Sequence, residues 1–131
     1  MTYLLDTHVV LWLLDEENRL SDKARSIISD SNSICFVSIV SFFEMAIKKK
    51  IGKLELSKAI SEYIQELKRI GISSLPISHD ALDSYEKIPF ISGHGDPFDR
   101  FILATALSQT LALISADDKF QQYNEILPVI W

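Results

Sequence analysis

Four carboxylates in this chain stand where a carboxylate is costly. Asp6 closes the strand-like run Tyr3-Leu4-Leu5, and Asp117 follows the apolar run Leu111-Ala112-Leu113-Ile114-Ser115. Glu44 lies inside Ile39-Val40-Ser41-Phe42-Phe43-Glu44-Met45-Ala46-Ile47, a segment apolar nearly all round, and Asp99 stands in Pro97-Phe98-Asp99-Arg100-Phe101. Burying a charge without a partner is unfavourable. Acids gathered without matching Lys or Arg point to a divalent cation, and such a cation points to phosphate chemistry.

Each acid also has a plainer reading. Asp6 can cap the helix that begins near His8, worth about 1 kcal/mol. Glu44 can pair with Lys48, four residues later in the favourable order. Asp96 has a full explanation as an N-cap ahead of Pro97, and Asp99 falls at the third helical position, where an acid complements the helix dipole. Asp117 can cap the short helix after it. The shared address outweighs these separate accounts. Every candidate lies at a strand's carboxyl end or in the first two turns of the helix that follows. Two like charges at 4 Å repel by roughly 4 kcal/mol at an effective dielectric of 20. Mg²⁺ or Mn²⁺, one ion or two, removes that penalty and prefers oxygen ligands.

Other chemistries find less in the chain. No serine or cysteine nucleophile sits in a triad pattern, and 4 glycines form no phosphate-binding loop. The lone Cys35 and the scattered His8, His79 and His94 lack zinc-ligand spacing. A haloacid-dehalogenase phosphatase needs a second Asp two residues after the first, and His8 stands there. A phospho-acceptor domain of receiver type finds a lysine in Lys119 but leaves Glu44 unexplained. A non-catalytic binding module with a decayed metal site has an intact set of acids against it. A nuclease acting on DNA remains a variant of the leading reading.

The elements that position these acids follow from periodicity. Strands are expected at 2–5, 34–38, 72–77, 111–115 and 129–131, with Pro76 placing the third near an edge. Helices are expected at 8–14, from Ser21 as N-cap to about Asp30, from Ile39 to Lys50 with Gly52 as C-cap, and from a Ser57 cap to Gly71. Further helices are expected at 79–88, from Asp96 to about Thr110, and at 117–123, with a flexible loop over 91–95. Strands alternating with helices predict an α/β fold of three layers, with a central, mostly parallel sheet. Such sheets bind ligands at the carboxyl ends of their strands, where strand order reverses.

The chain has 131 residues, expected to form one domain. Its hydrophobic content of 47% and charged content of 24% fit a globular protein. No apolar run approaches the roughly 18–20 residues that span a bilayer. No basic leader precedes the first apolar run, and the single cysteine excludes an internal disulfide, so the cytoplasm is expected. The net charge of −5 gives no support of its own for nucleic-acid binding. The positive charge is uneven, however, with Lys48, Lys49, Lys50 and Lys53 close together. A solvated helix end accounts for that cluster equally well.

In order and spacing, five segments resemble the successive motifs of PIN-domain ribonucleases: Leu4-Leu5-Asp6-Thr7-His8, Ser38 to Lys48, Gly52-Lys53-Leu54, Asp96-Pro97-Phe98-Asp99-Arg100 and Ser115-Ala116-Asp117. The small size and the closing Pro128-Val129-Ile130-Trp131 are similar to VapC-type toxins of bacterial and archaeal toxin–antitoxin pairs. The resemblance implies that Asp6, Glu44, Asp99 and Asp117 hold Mg²⁺ or Mn²⁺ and hydrolyse RNA to a 5′-phosphate and a 3′-hydroxyl. Thr7 and Ser115 occupy positions where the family often has a hydroxyl near the metals, with Ser115 in place of the commoner threonine. Asp96 matches the motif and is assigned to the helix cap first. His94 matches a histidine often found before the Asp-Pro pair. The resemblance further implies a homodimer and a small antitoxin partner. Lys48, Lys49, Lys50 and Arg100 are expected to line the RNA approach, touching phosphates rather than bases.

Overall fold

Side chains alternate between the two faces of a strand, and here both sets are apolar. Tyr3, Leu5, Cys35, Val37, Ala112 and Ile114 enter one buried cluster. Leu4 and Leu113 enter another, against which Phe36 packs. A sheet apolar on both faces needs helices on both faces.

The computed structural model describes residues 1–91 and 93–131. Among these residues the strands are β1 (Thr2–Leu5), β2 (Ile34–Ser38), β3 (Ser73–Leu75), β4 (Ala112–Ile114) and β5 (Val129–Ile130). The helices are α1 (Thr7–Asp15), α2 (Asp22–Ser29), α3 (Ile39–Lys50), α4 (Ile60–Arg69), α5 (His79–Ser84), α6 (Pro97–Gln109) and α7 (Asp118–Gln121). All four strand pairings are parallel, in the order β3-β2-β1-β4-β5. The chain leaves β1 for β2 on one side and later returns to β4 on the other. The reversal point is therefore at β1, directly beneath Asp6.

Helices α1, α2 and α4 cover one face through Val9, Val10, Ala24, Tyr63 and Leu67. Helix α6 covers the other through Ile102, Leu103 and Ala106, with Phe120, Tyr123 and Leu127 packed beside it. No helix among the described residues is long and apolar enough to cross a membrane.

Local signals placed most boundaries. The Ser21 side chain accepts from the Ala24 amide and caps α2 as expected, while Ser38, not singled out from the sequence, accepts from the Val40 amide and caps α3. Gly52 and Gly71 adopt φ of +76° and +87° and close α3 and α4. In each case the next residue's amide reaches back a full turn, Lys53 to Lys48 O and Ile72 to Leu67 O. The third strand, β3, is indeed an edge strand.

Three expectations need correction. Ser57 does not cap α4, whose N-cap is Ala59. The Ser57 hydroxyl instead donates to Asp15 Oδ1 at 3.2 Å, and Tyr63 donates its phenol to Asp15 Oδ2 at 2.6 Å. Those bonds tie α4 to the end of α1 and outcompete a local cap. The helix expected over 79–88 is α5 followed by a 3-10 turn at Tyr85–Lys87, and the one over 117–123 shortens to Asp118–Gln121. The loop expected over 91–95 includes Ser92, which lies outside the described residues. Its neighbour His94 is buried, 1% exposed.

Candidate functional site

Asp6 continues the ladder beyond β1, donating its amide to Ile114 O at 3.0 Å. Its carboxylate is thereby pinned over the reversal point and is only 4% exposed. Oδ1 accepts from the Thr7 amide at 2.7 Å and Oδ2 from the Ser115 hydroxyl at 2.8 Å. A regular N-cap accepts from the second or third helical amide, so Asp6 caps α1 only in part. Burial pushes its carboxyl up to about 7. The charges of Asp99 and Glu44 push the same way, while the Ser115 and Thr7 hydrogen bonds oppose.

Glu44 lies on α3 facing α1 and is 6% exposed. Thr7 Oγ1 is 2.8 Å from Glu44 Oε1 and 3.0 Å from Ser41 Oγ. A hydroxyl has one proton, and the carboxylate is the stronger acceptor. Lys48 Nζ stands 3.1 Å from Glu44 Oε2. The ion pair and the inward position therefore coexist.

Helix α6 brings the third acid. Asp96 Oδ1 accepts from the amides of Phe98 and Asp99, at 2.8 and 3.1 Å, and starts the helix. Asp99 follows one turn in, with Oδ2 at 3.1 Å from His94 Nε2. His94 Nδ1 is 3.1 Å from the Tyr123 hydroxyl, so the imidazole is held at both nitrogens. Burial raises the Asp99 carboxyl above its ordinary value, and the charges of Asp96 and Glu44 add to that. The His94 contact pulls it back.

Ligand atoms of Glu44, Asp96 and Asp99 lie within 4.8 Å of one another. Asp6 stands beside this trio and feels two of its charges. Asp117 is half-buried and, like Asp6, is not one of the three. Asp117 caps α7 by accepting from the Lys119 amide at 2.9 Å, and its own amide donates to Ser115 Oγ at 3.1 Å. It shares a surface cavity with Asp6. The structure thus joins Asp96 to the acids more closely than its cap role implied. A donor set made only of carboxylate oxygens, with Lys48 on its rim, suits a hard divalent cation.

Arg100 is placed otherwise than expected. It is 6% exposed, and its guanidinium donates to Ile88 O at 2.7 Å and Pro89 O at 3.2 Å. It packs between Tyr85 and Phe90, 5.4 and 5.2 Å from the ring centres. One helical turn past the cap, this side chain is spent on those carbonyls and is almost wholly buried, which leaves little of it to meet RNA. Lys49 and Lys50 are exposed at the end of α3. Ser41 and Tyr123 support the site and were not singled out from the sequence. Ser41 carried a signal, lying three residues before Glu44 on the same helix face. Tyr123 carried none.

Residues 3–126 match the model of the PIN domain. The chain is 31% identical over 136 residues to Ribonuclease VapC22 of Mycobacterium tuberculosis, covering 99% of this chain and 98% of that protein. In solved structures it resembles VapBC2 of Rickettsia felis bound to a promoter DNA fragment, at TM-score 0.67 and 15% identity, covering 98% and 97% of the two chains. It also resembles VapBC-1 of nontypeable Haemophilus influenzae, at TM-score 0.65 and 23% identity, covering 98% and 96%. The chain belongs to the PIN domain family.

Proposed function

We propose that this protein is a metal-dependent endoribonuclease and the toxin of a toxin–antitoxin pair, acting as a single PIN unit over residues 1–131. The observation that carries the reading is the oxygen-only group of Glu44, Asp96 and Asp99 beside the buried Asp6, at the sheet's reversal point. The end-to-end likeness to a ribonuclease supports RNA as substrate.

Asp6, Glu44, Asp96 and Asp99 would hold Mg²⁺ or Mn²⁺, with Asp117 across the shared cavity from Asp6. When bound, the ion supplies Lewis-acid polarisation of phosphate and activates water. The chain's own residues do the positioning. Thr7 fixes Glu44, Ser115 fixes Asp6, and His94 fixes Asp99, so three carboxylates are oriented before any ion arrives. Such preorganisation lowers the reorganisation needed at the moment of reaction. Lys48, Lys49 and Lys50 form a basic rim along α3 that meets RNA phosphates.

Two partners follow from the same reading: a small antitoxin and a second copy of the chain. The resemblance to structures named as VapBC complexes supports the first. Phe43 and Phe98, each adjacent in sequence to this region, stack edge to face at 5.7 Å, and Phe43 is 58% exposed. That apolar surface suits a protein contact.

The test is a side-by-side digest of end-labelled RNA and DNA of one sequence with Mn²⁺, Mg²⁺ or EDTA. RNA cut only with an ion, leaving 5′-phosphate ends, is the expected result. Cleavage that persists in EDTA, or is confined to DNA, refutes the reading.

A further inference from the structure

Beside the acidic centre lies a cavity of about 360 Å³, lined by Asp6, Asp117, His8, Trp12, Arg19 and Ala116. We infer that it is a nucleotide subsite, in which Trp12 and Arg19 take the base next to the phosphate held at the acids. This rests on the ribonuclease reading above.

The topology brings an aromatic and cationic surface to this edge by three routes. His8 and Trp12 are four residues apart on α1 and so share a face, with ring centres 5.9 Å apart. Arg19 sits on the 3-10 turn after α1, its guanidinium 4.7 Å from the Trp12 ring centre. Trp131 follows β5, where the Ser115 amide donates to Ile130 O, and reaches Trp12 at 5.7 Å. Residues 8, 12, 19 and 131 thus converge on the rim of the site that holds Asp6.

The chemistry fits a base better than a bare ion or an apolar side chain. Indole and guanidinium faces both stack with nucleobases of any sequence, and the guanidinium also meets phosphate. Arg19 lies over Trp12 and no strong ion pair holds its charge. Its pair with Glu16 is long, 3.6 Å, with both side chains about half exposed, and such surface pairs bind weakly. The volume lies in the range of roughly 300–1,000 Å³ usual for small-ligand pockets. Because Asp6 belongs both to this lining and to the acidic centre, an occupant base is that of the nucleotide flanking the scissile bond.

The chain reports on the subsite without a label, because its 2 tryptophans are Trp12 and Trp131. The probe is a short single-stranded RNA, titrated in EDTA at low salt against tryptophan fluorescence. The same RNA with one abasic nucleotide, moved stepwise along it, is the control. Intact RNA is expected to quench, and one abasic position to abolish the quench. In steady-state cleavage, Arg19→Gln and Trp12→Leu are expected to raise KM by about tenfold while kcat stays within about threefold. Trp12→Phe retains most of the wild-type KM. Arg19 is exposed, so its variant folds even if Trp12→Leu does not.

A wild-type chain that cleaves RNA while Arg19→Gln keeps its KM and no abasic position matters would overturn the subsite and leave the cavity to a protein partner. A chain that cleaves no RNA yet shows the position-dependent quench keeps the subsite and loses the nuclease reading.

Discussion

Ser115 donates its hydroxyl to Asp6 Oδ2 at 2.8 Å, joining the ends of β4 and β1 across 109 residues of chain. This bond opposes the burial that drives the Asp6 carboxyl up to about 7. Ser115→Ala is expected to raise that carboxyl further and to cost about 1–2 kcal/mol at pH 8, where Asp6 is charged. Ser115→Thr keeps the donor and most of the stability. Urea unfolding and carboxyl NMR titration measure both. An unchanged midpoint in Ser115→Ala would show that the bond contributes nothing.

Stability of the metal-free protein should fall as pH rises from about 4 to about 7. The Asp6 carboxyl has a folded value near 7 against 3.8 unfolded, so the folded state binds the extra proton throughout that window. The favourable contribution is complete below 3.8 and lost above 7. At about 1.4 kcal/mol per pH unit the loss approaches roughly 4 kcal/mol as an upper bound. Asp99, also raised, adds with the same sign. Saturating Mn²⁺ should flatten or reverse the slope, since an ion at a hundred times its Kd adds about 2.7 kcal/mol. Chemical unfolding in EDTA across the range is the measurement, and a curve rising toward pH 7 contradicts the prediction.

Asp6→Asn and Asp99→Asn should abolish RNA cleavage and leave the EDTA-treated protein as stable as wild type or more so. Each removes one charge from a group whose members raise one another's pKa. Either variant cutting RNA at the wild-type rate with metal supplied removes that residue from the site.

Arg100→Met and the double variant Lys49→Gln, Lys50→Gln should fail in different ways. The first strands the carbonyls of Ile88 and Pro89 and is expected to cost about 2–4 kcal/mol. The second is expected to leave the unfolding midpoint alone and to reduce the salt dependence of RNA binding by about two phosphate contacts. Equal salt slopes in wild type and the lysine variant would take both residues off the RNA path.

Thr110 ends α6 at φ 55°, the left-handed region that a β-branched residue adopts at a cost of about 1–2 kcal/mol. Thr110→Gly is expected to raise Tm by roughly 4 °C, at about 1 kcal/mol gained. A fall in Tm would mean that the Thr110 side chain contributes more by packing than its backbone costs.

Much of this molecule was written locally. Near-continuous apolar runs at 2–5 and 34–38 specified buried strands, and Ser21 and Asp96 specified helix starts, because a cap answers only to amides two or three residues away. Gly52 and Gly71 specified helix ends by the same short reach. The acids could be assigned to one edge because every parallel strand ends there. Where each acid meets its neighbours was a different matter. The approach of Asp96 to Glu44, the cavity that Asp117 shares with Asp6, the inward turn of Arg100, and the contacts His94–Tyr123 and Trp12–Trp131 all depend on strand order and helix packing. Those contacts couple residues tens to more than a hundred positions apart. Periodicity and capping, which act within a single helical turn, carry no information at that range, so only the assembled fold could decide them.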